Sequence, residues 1–332
     1  MRHLNRFRSA RAPRLIAIMA LWLPLSAMPA RADACSGASL SVSTAAFTPN
    51  YDFTDPVQHT TMVTTLRIEG VVGGCGYLVG AEGGGAGRTL SDGMHTMQYQ
   101  LYTNSQLTNI FVDPLSGASG TAVNMLGFVG GADPTVTLTY YFSIPSSQYI
   151  ASGLYQDAVT LTLYSGTFAE PSAPIYSVPA THEATVTGVF LLSLVPVGNA
   201  FDTNQTSTVM DFGTLSAGQT PTRSVDALFK SNNSTGYKVY MRSDNANRLK
   251  RAGGTATTPY SLALSAIASP NLTGVTSSPT LTAADLQIAT GTGVAPSNAD
   301  RLNVSATIGD FSATPLSAGT YSDVITVTII GN

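Results

Sequence analysis

Side chains that could do chemistry are few in this sequence, and they lie far apart. Beyond the N-terminal segment the histidines are His59, His95 and His182, and none has the H-E-x-x-H spacing of a zinc hydrolase. We therefore expect each of the three to be a surface or loop residue and not a metal ligand. The segment Gly117–Gly120 is one residue too short for the G-x-S-x-G turn that presents a catalytic serine.

Carboxylates and glycines give no stronger signal. Asp52, Asp55, Asp113 and Asp133 could chelate Ca²⁺ in a loop, but each lies next to proline or in a turn, where aspartate is common. The glycine-rich segment Gly83–Gly87 lacks the Lys-Ser/Thr pair of a phosphate-binding loop. The sequence therefore predicts no catalytic residue, no metal site and no cofactor, and we expect that the protein is not an enzyme.

Residues 1–32 have the order of a secretory signal peptide. Five arginines precede the apolar run Leu15–Leu25, and the small residues of Ala30-Arg31-Ala32 follow it. The run is short and is interrupted by Pro24, which argues against a membrane span. We therefore expect an exported protein without membrane insertion.

Cys35 and Cys75 are the two cysteines of the chain. An isolated pair in an exported protein is typical of a disulfide, and the spacing fits no zinc-ligand pattern. Such a bond would close a loop of about 40 residues and stabilise the fold by roughly 4 kcal/mol in the chain-entropy model. Lipidation of Cys35 is the alternative, and it would leave Cys75 without a partner.

Charge is unevenly distributed along the chain. Without residues 1–32 it has ten basic and nineteen acidic residues, a net charge of −9. Residues 33–184 hold only two of the basic residues, Arg67 and Arg88, against eleven acidic ones, whereas residues 185–332 hold eight of each. An acidic first half argues against nucleic acid or anionic lipid as its partner. The alternative is that acidity only keeps an exported domain soluble.

An internal repeat recurs at a constant offset of 166 residues. Ser152–Leu163 aligns with Ala318–Ile329, and both contain Gly-x-Tyr-x-Asp followed by apolar residues that alternate with threonine. Tyr51–Phe53 also corresponds to Met210–Phe212, at an offset of 159 residues. Two copies at this distance indicate two domains and not a solenoid, whose repeats are much shorter. The alternation in Thr320–Ile330 predicts a half-buried final strand.

Composition predicts an all-β protein. Charged residues make up 11% of the chain, and short alternating segments are separated by Gly, Pro and Asn. We expect two immunoglobulin-like β-sandwich domains in tandem, the second lacking its final strand. We place them in residues 33–187 and 188–332, because the apolar Ala184–Val197 segment lacks the composition of a flexible linker. The strands expected in the first domain are Ser39–Thr44, Thr61–Ile68, Tyr77–Val79, Met97–Tyr102, Val136–Ile144 and Tyr155–Tyr164.

Three segments of the first copy, Gln98–Asn104, Tyr141–Gln148 and Ser152–Thr160, resemble the spore coat protein U domain. This β-sandwich family includes the subunits of archaic chaperone–usher pili. In the second copy the resemblance is limited to Asp211–Gly213 and Gly319–Ile329. Ordinary subunits of the family have one domain preceded by a donor segment. This chain has two domains and no such segment, so it is similar to the two-domain tip subunit.

The resemblance implies partners and a location. The partners would be a periplasmic chaperone, an outer-membrane usher and the next pilus subunit. The protein would pass through the periplasm and reach the cell surface at the pilus tip.

The resemblance also implies how the second domain joins a fibre. The sequence stops two residues after Ile330, so we expect an open sheet edge and an apolar groove lined by Ile325, Val327 and Ile329. A donor strand from the next subunit would fill this groove through main-chain hydrogen bonds and pockets for its alternate side chains. The alternative is that Phe190–Val197 supplies the missing strand and closes the domain.

Apolar residues in three predicted loops indicate a binding surface at the end of the first domain that faces away from the second. Alternate loops of an antiparallel sandwich gather at opposite ends, which groups the loop near Val71–Tyr77, the loop before Val136 and the loop Ser165–Glu183. Leu126 and Phe128 could instead be core residues of an unrecognised strand. The expected binding residues are Val71, Val72, Leu126, Phe128, Val129, Ile175, Tyr176 and Val178.

These observations together predict a tip adhesin that attaches cells to an abiotic or host surface in biofilm formation. The resemblance adds that tip adhesins of this family bind through apolar loop tips. One alternative is a structural spore-coat or secreted coat protein with closed domains. Another is a carbohydrate-binding lectin, which would need an aromatic platform with convergent polar groups.

Overall fold

A computed structural model describes residues 35–43, 50–51, 60–83, 87–113, 125–166, 171–313 and 315–332. The regular elements in these ranges are twenty β-strands, which confirms the all-β class. They form two β-sandwich domains in tandem, each with a large hydrophobic core of its own. None of the described segments is a helix long and apolar enough to cross a membrane.

Ten strands form the first domain. One layer has the order β1-β3-β8-β6 and the other β2-β10-β9-β4-β7, and β5 joins the layers by pairing with β6 and β9. Neighbouring strands are antiparallel, except that β2 and β10 are parallel. The strands are β1 (Ser39–Ser43), β2 (Asn50–Tyr51), β3 (Thr60–Glu69), β4 (Gly76–Ala81), β5 (Arg88–Ser91), β6 (Thr96–Tyr102), β7 (Leu126–Val129), β8 (Thr135–Ile144), β9 (Gly153–Gly166) and β10 (Pro171–Val186).

Period-two alternation explains how these layers enclose a core. In β6, Met97, Tyr99 and Leu101 are buried, and residues on the opposite face are exposed or half-buried. Each fully buried side chain of this size contributes about 1.5–3 kcal/mol of transfer free energy. All six strands predicted for this domain are confirmed, with ends that differ by one or two residues.

The predicted Cys35–Cys75 disulfide is confirmed, with the two Cα atoms 5.9 Å apart. Cys35 precedes β1 in one layer, and Cys75 precedes β4 in the other. The bond therefore ties the start of the fold to the opposite layer of the sandwich.

The second domain also contains ten strands in two layers. One layer has the order β11-β12-β18-β15-β14-β19 and the other β16-β17-β13-β20. β18 shows strict alternation, with Leu302, Val304, Ala306 and Ile308 buried in the core. The strands are β11 (Phe190–Pro196), β12 (Thr222–Ser231), β13 (Tyr237–Ser243), β14 (Arg248–Arg251), β15 (Thr257–Ala266), β16 (Leu272–Thr273), β17 (Leu286–Gly291), β18 (Asp300–Ile308), β19 (Tyr321–Ser322) and β20 (Ile325–Gly331).

The prediction of one continuous strand over Thr320–Ile330 is wrong. The segment divides into β19, which pairs with β14, and β20, which pairs with β13 in the other layer. Asp323 lies at the break, and its carboxylate accepts hydrogen bonds from Ser243 Oγ at 2.6 Å, Tyr260 Oη at 2.6 Å and Asn245 N at 3.0 Å. These bonds hold the chain where it passes from one layer to the other.

Candidate functional site

The last strand of the second domain is less buried than its counterpart in the first. By the repeat offset, β20 corresponds to β9, whose inward residues are fully buried. The inward residues of β20 are only half-buried, although they pack against the second core. The corresponding pairs are Ile325 with Val159, Val327 with Leu161, and Ile329 with Leu163.

The strand β10 accounts for this difference. In the first domain, β10 pairs with β9 from Pro171 to Val186 and places Ala180 and Ala184 in the core. The other edge of β10 pairs with β2. In the described part of the second domain, β20 pairs along one edge with β13, and no strand pairs with its other edge.

Two apolar segments outside the layer of β20 are also only half-buried against the second core. One is β11, which approaches β20, and the other contains Met210, the repeat counterpart of Tyr51 in β2. Met210 and Phe212 face the core, whereas the neighbouring Val209 is 84% exposed. We call the free edge of β20, together with the half-buried apolar side chains of these segments, the open groove, and these side chains are Phe190, Leu192, Leu194, Met210, Phe212, Ile325, Val327 and Ile329.

The strand β11 does not close the open groove. Phe190–Pro196 pairs with β12 in the opposite layer, contrary to the alternative in which this segment completes β20. The groove is narrow at one end, because a Cβ on Gly331 would lie 2.8 Å from Phe190 Cζ. Glycine allows the two strands to approach at this point.

The β9–β10 pair defines the two ends of the first domain. Gly166 pairs with Pro171 at one end, and Gly153 pairs with Val186 at the other. Since the chain continues from Val186 into the second domain, the Gly166 end faces away from it. We call this the distal end.

Val72 and Val129 lie together at the distal end and are 41% and 72% exposed. Gly130 N donates a hydrogen bond to Cys75 O at 2.8 Å, which joins the end of β7 to the turn that contains Val72. A Cβ on Gly130 would lie 2.2 Å from Val72 O, so this contact requires glycine. Tyr176 on β10 is 45% exposed and is the third exposed residue of the predicted binding set.

Five of the eight predicted binding residues are not on exposed loops. Val71 is buried, and the others are half-buried against the first core. The prediction of a loop over Ser165–Glu183 is wrong because β10 occupies most of it, and the loop before Val136 contains β7. The Phe128 ring stacks on Tyr77 with centroids 5.2 Å apart. The five residues are Val71, Leu126, Phe128, Ile175 and Val178.

The prediction that the histidines are surface or loop residues is wrong for His182. Its side chain is on β10 and only 1% exposed, with Nε2 2.9 Å from Tyr140 Oη and the ring stacked on Phe142. Burial, followed by the positive charge of Arg88, lowers the pKa of His182 to about 4, and Asp157 opposes the shift. His182 is therefore neutral at pH 7. The alternation of Ala180, His182 and Ala184 is the sequence signal that places it inward.

Arg88 is a buried cationic side chain near His182. Its guanidinium donates hydrogen bonds to Gln100 Oε1 at 2.6 Å and to the carbonyl oxygens of Glu82 and Phe111 at 3.0 and 2.9 Å. Burial lowers the pKa of Arg88. These contacts connect β5 to β6 and to the loops that contain Glu82 and Phe111. Arg88 therefore has a structural role.

Asp113 and Asp133, the two predicted loop carboxylates among the described residues, do not belong to a metal site. Asp113 accepts a hydrogen bond from Tyr164 Oη at 2.9 Å, and Asp133 accepts one from Thr135 N at 2.8 Å. His95 contacts Asp92 through Nδ1 at 3.0 Å. Over the described ranges, no three His, Cys, Asp or Glu side chains form a group that could hold a metal ion. Asp52, Asp55 and His59 lie outside the described residues.

Residues 24–162 match the family model of the Spore Coat Protein U domain. The matched range ends within β9, so β10 lies beyond it. The matched range thus includes the disulfide and the turn at Val72, and β10 completes the second layer of the first domain.

Solved structures that are similar to most of the chain extend beyond the matched range. The chaperone–tip adhesion subunit complex CsuC–CsuE of Acinetobacter baumannii Csu pili is 12% identical, with a TM-score of 0.42, covering 85% of this chain and 96% of that one. The CupB6 tip adhesin of Pseudomonas aeruginosa is 11% identical, with a TM-score of 0.38 and coverages of 87% and 92%. CfaE, the adhesive subunit of an Escherichia coli fimbria, is 13% identical, with a TM-score of 0.35 and coverages of 89% and 81%. No curated protein sequence matches the chain.

Proposed function

We propose that this protein is the tip adhesin of an archaic chaperone–usher pilus. The observation that carries the proposal is the unequal burial of matched residues in β9 and β20. Covering three half-exposed aliphatic side chains would stabilise the second domain by on the order of 1 kcal/mol each. An unpaired sheet edge with an apolar face also favours aggregation. A donated strand would cover the apolar side chains and pair with the edge.

The first domain indicates what the donated strand would look like. Like β10, it would run antiparallel to β20 and would lie beside the segment that contains Met210. Ala180 lies opposite Val159, so a small residue would lie opposite Ile325. In this function a periplasmic chaperone covers the open groove before assembly, and the next pilus subunit then donates the strand. An outer-membrane usher would be the place where the donated strand replaces the chaperone.

Adhesion is assigned to the distal end of the first domain. Val72, Val129 and Tyr176 are exposed apolar side chains there, and this domain is strongly acidic. Apolar side chains of this kind suit a hydrophobic abiotic or host surface better than a charged one. The function includes no catalysis. It places the protein at the cell surface, where it would attach cells during biofilm formation.

One pair of variants tests the strand-accepting function. Val327→Asp would put an unpaired charge into the open groove, whereas Val324 is 58% exposed, so Val324→Asp is the matched control. Each full-length variant is expressed with the pilus chaperone, and the co-purified chaperone is quantified. We expect loss of the chaperone only for Val327→Asp. Retention by Val327→Asp would contradict the proposal.

The coat-protein alternative is tested with the second domain alone. Residues 185–332 are expressed with and without the chaperone, and soluble yield and thermal unfolding are compared. We expect low yield and no cooperative transition without a strand supplied by a partner. A monodisperse, cooperatively folded lone domain would favour the coat protein with closed domains.

A further inference from the structure

The two domains meet at a short connection and at one turn of the second domain. Residues 187–189 connect β10 to β11, and the turn follows β12, which ends at Ser231. The side chains of Ser231 and Asn232 are fully buried. Buried polar side chains are costly unless their hydrogen bonds are satisfied, so the partners of Asn232 matter.

Asn232 makes three hydrogen bonds to the first domain and the connection. Its Oδ1 accepts from Val189 N at 2.8 Å, and its Nδ2 donates to Thr187 O at 2.9 Å. Its main-chain oxygen accepts from Ser152 N at 2.7 Å. The side-chain amide thus satisfies one donor and one acceptor of the connection, much as a neighbouring strand would.

A second contact lies beside the first. Tyr149, in the loop between β8 and β9, donates its phenolic hydrogen to Ser231 O at 3.0 Å. Burial raises the pKa of Tyr149 to about 12, so the phenol keeps this proton at neutral pH. The β8–β9 loop of the first domain is therefore docked on the end of β12 at two adjacent residues.

We propose that Asn232 clamps the two domains into one rigid body. Without its amide, the N–H of Val189 and the carbonyl of Thr187 lose their partners, and the connection is held less firmly to the second domain. The clamp does not depend on pilus assembly, because every contact lies within this chain. For an adhesin, it would fix the direction of the distal end relative to the open groove.

Hydrogen exchange on the intact exported protein tests the clamp. The amides of Val189 and Ser152 are followed in peptides that cover residues 187–191 and 146–153, in the native protein and in Asn232→Ala. Asn204→Ala, on an exposed loop, is the matched control. We expect exchange at both amides to rise about tenfold in Asn232→Ala, as for loss of a buried hydrogen bond, and to stay unchanged in the control.

The readout at Ser152 separates a clamp from a local contact. Ser152 bonds to the main chain of residue 232, which the substitution leaves in place. Faster exchange at Val189 alone would overturn the proposal, and so would fast exchange of both amides in the native protein. If Asn232→Ala does not fold, Asn232→Asp keeps the acceptor for Val189 and loses the donor to Thr187. We then expect Val189 to stay protected and the Ser152 amide to exchange faster, and unchanged exchange at Ser152 would overturn the proposal.

Discussion

Tyr99 donates its phenolic hydrogen to Asp157 at 2.5 Å, and this pair links β6 to β9 in the first domain. The same pair recurs in the second domain as Tyr260 and Asp323, at 2.6 Å. Asp157 and Asp323 occupy the same repeat position. The repeat therefore preserves a tertiary contact as well as a strand pattern.

A second tyrosine of the repeat behaves in the same way. Tyr155 Oη donates to Ala151 O at 2.8 Å, and Tyr321 Oη donates to Ser317 O at 2.8 Å. Both bonds reach four residues back along the chain, like the tyrosine corner of immunoglobulin-like domains. The Gly-x-Tyr-x-Asp motif thus builds the same corner at the entry to β9 and to β19.

Tyr260→Phe should destabilise the second domain by about 1.5–3 kcal/mol, the usual contribution of a hydrogen bond to a charged group. Burial and Asp323 raise the pKa of Tyr260, so it is a proton donor in the folded state. Denaturant unfolding measures the loss. Tyr240→Phe is the control, because its bond to Gln287 is 3.4 Å long and exposed. Equal losses of stability in the two variants would mean that the Tyr260–Asp323 hydrogen bond contributes no more than the long, exposed Tyr240–Gln287 bond.

Period-two alternation was sufficient to predict the six strands of the first domain, and the repeat was sufficient to predict two domains. β10 was missed because Pro171, Pro174 and Pro179 interrupt its pattern, and register shifts occur beside Pro174. For the same reason Ile175 and Val178 were expected to be exposed, whereas both are half-buried against the first core. A strand turns alternate residues inward, and a loop was expected there. The different burial of β9 and β20 depends on contacts across layers, which the sequence does not show.

His182 should make the first domain less stable in acid. The pKa of His182 is about 4 in the folded protein and 6.5 in the unfolded chain. Below pH 6.5 the unfolded chain therefore binds a proton that the folded chain does not. Stability is therefore lost as pH falls from 6.5 to 4, by about 3 kcal/mol in total. Denaturant midpoints across this range measure the slope of stability against pH. The charges of Arg88 and Asp157 contribute to this slope because they act on the pKa of His182.

One substitution separates His182 from other titrating groups. His182→Gln is neutral at every pH and should flatten the slope between pH 6.5 and 4, whatever its effect on absolute stability. An unchanged slope in His182→Gln would assign the acid sensitivity to another group.

Loss of the disulfide should affect the first domain only. The double variant Cys35→Ser/Cys75→Ser removes a link across a sequence separation of 40 residues. The expected cost is about 4 kcal/mol in the chain-entropy model. Hydrogen exchange resolved by domain measures the effect, with the core strands of the second domain as internal control. A comparable loss of protection in β18 would show that the domains unfold as one unit.

The exposed residues at the distal end should carry adhesion. The triple variant Val72→Ser, Val129→Ser and Tyr176→Ser removes three exposed apolar side chains, and Ile175 is left unchanged because it packs against the core. We expect normal piliation and at least about tenfold weaker adhesion to a hydrophobic surface, since each apolar contact contributes on the order of 1 kcal/mol. Piliation is confirmed by microscopy, and adhesion is counted on polystyrene.

Met94→Ser is the matched control for that variant. Met94 is 88% exposed but lies in the turn beside Gly153, at the end of the first domain next to the second. Its loss removes exposed apolar surface without changing the distal end, so adhesion should stay normal. If the piliated triple variant adheres as well as this control, the binding surface lies elsewhere on the molecule. If both variants lose adhesion equally, general surface hydrophobicity and not the distal end determines attachment.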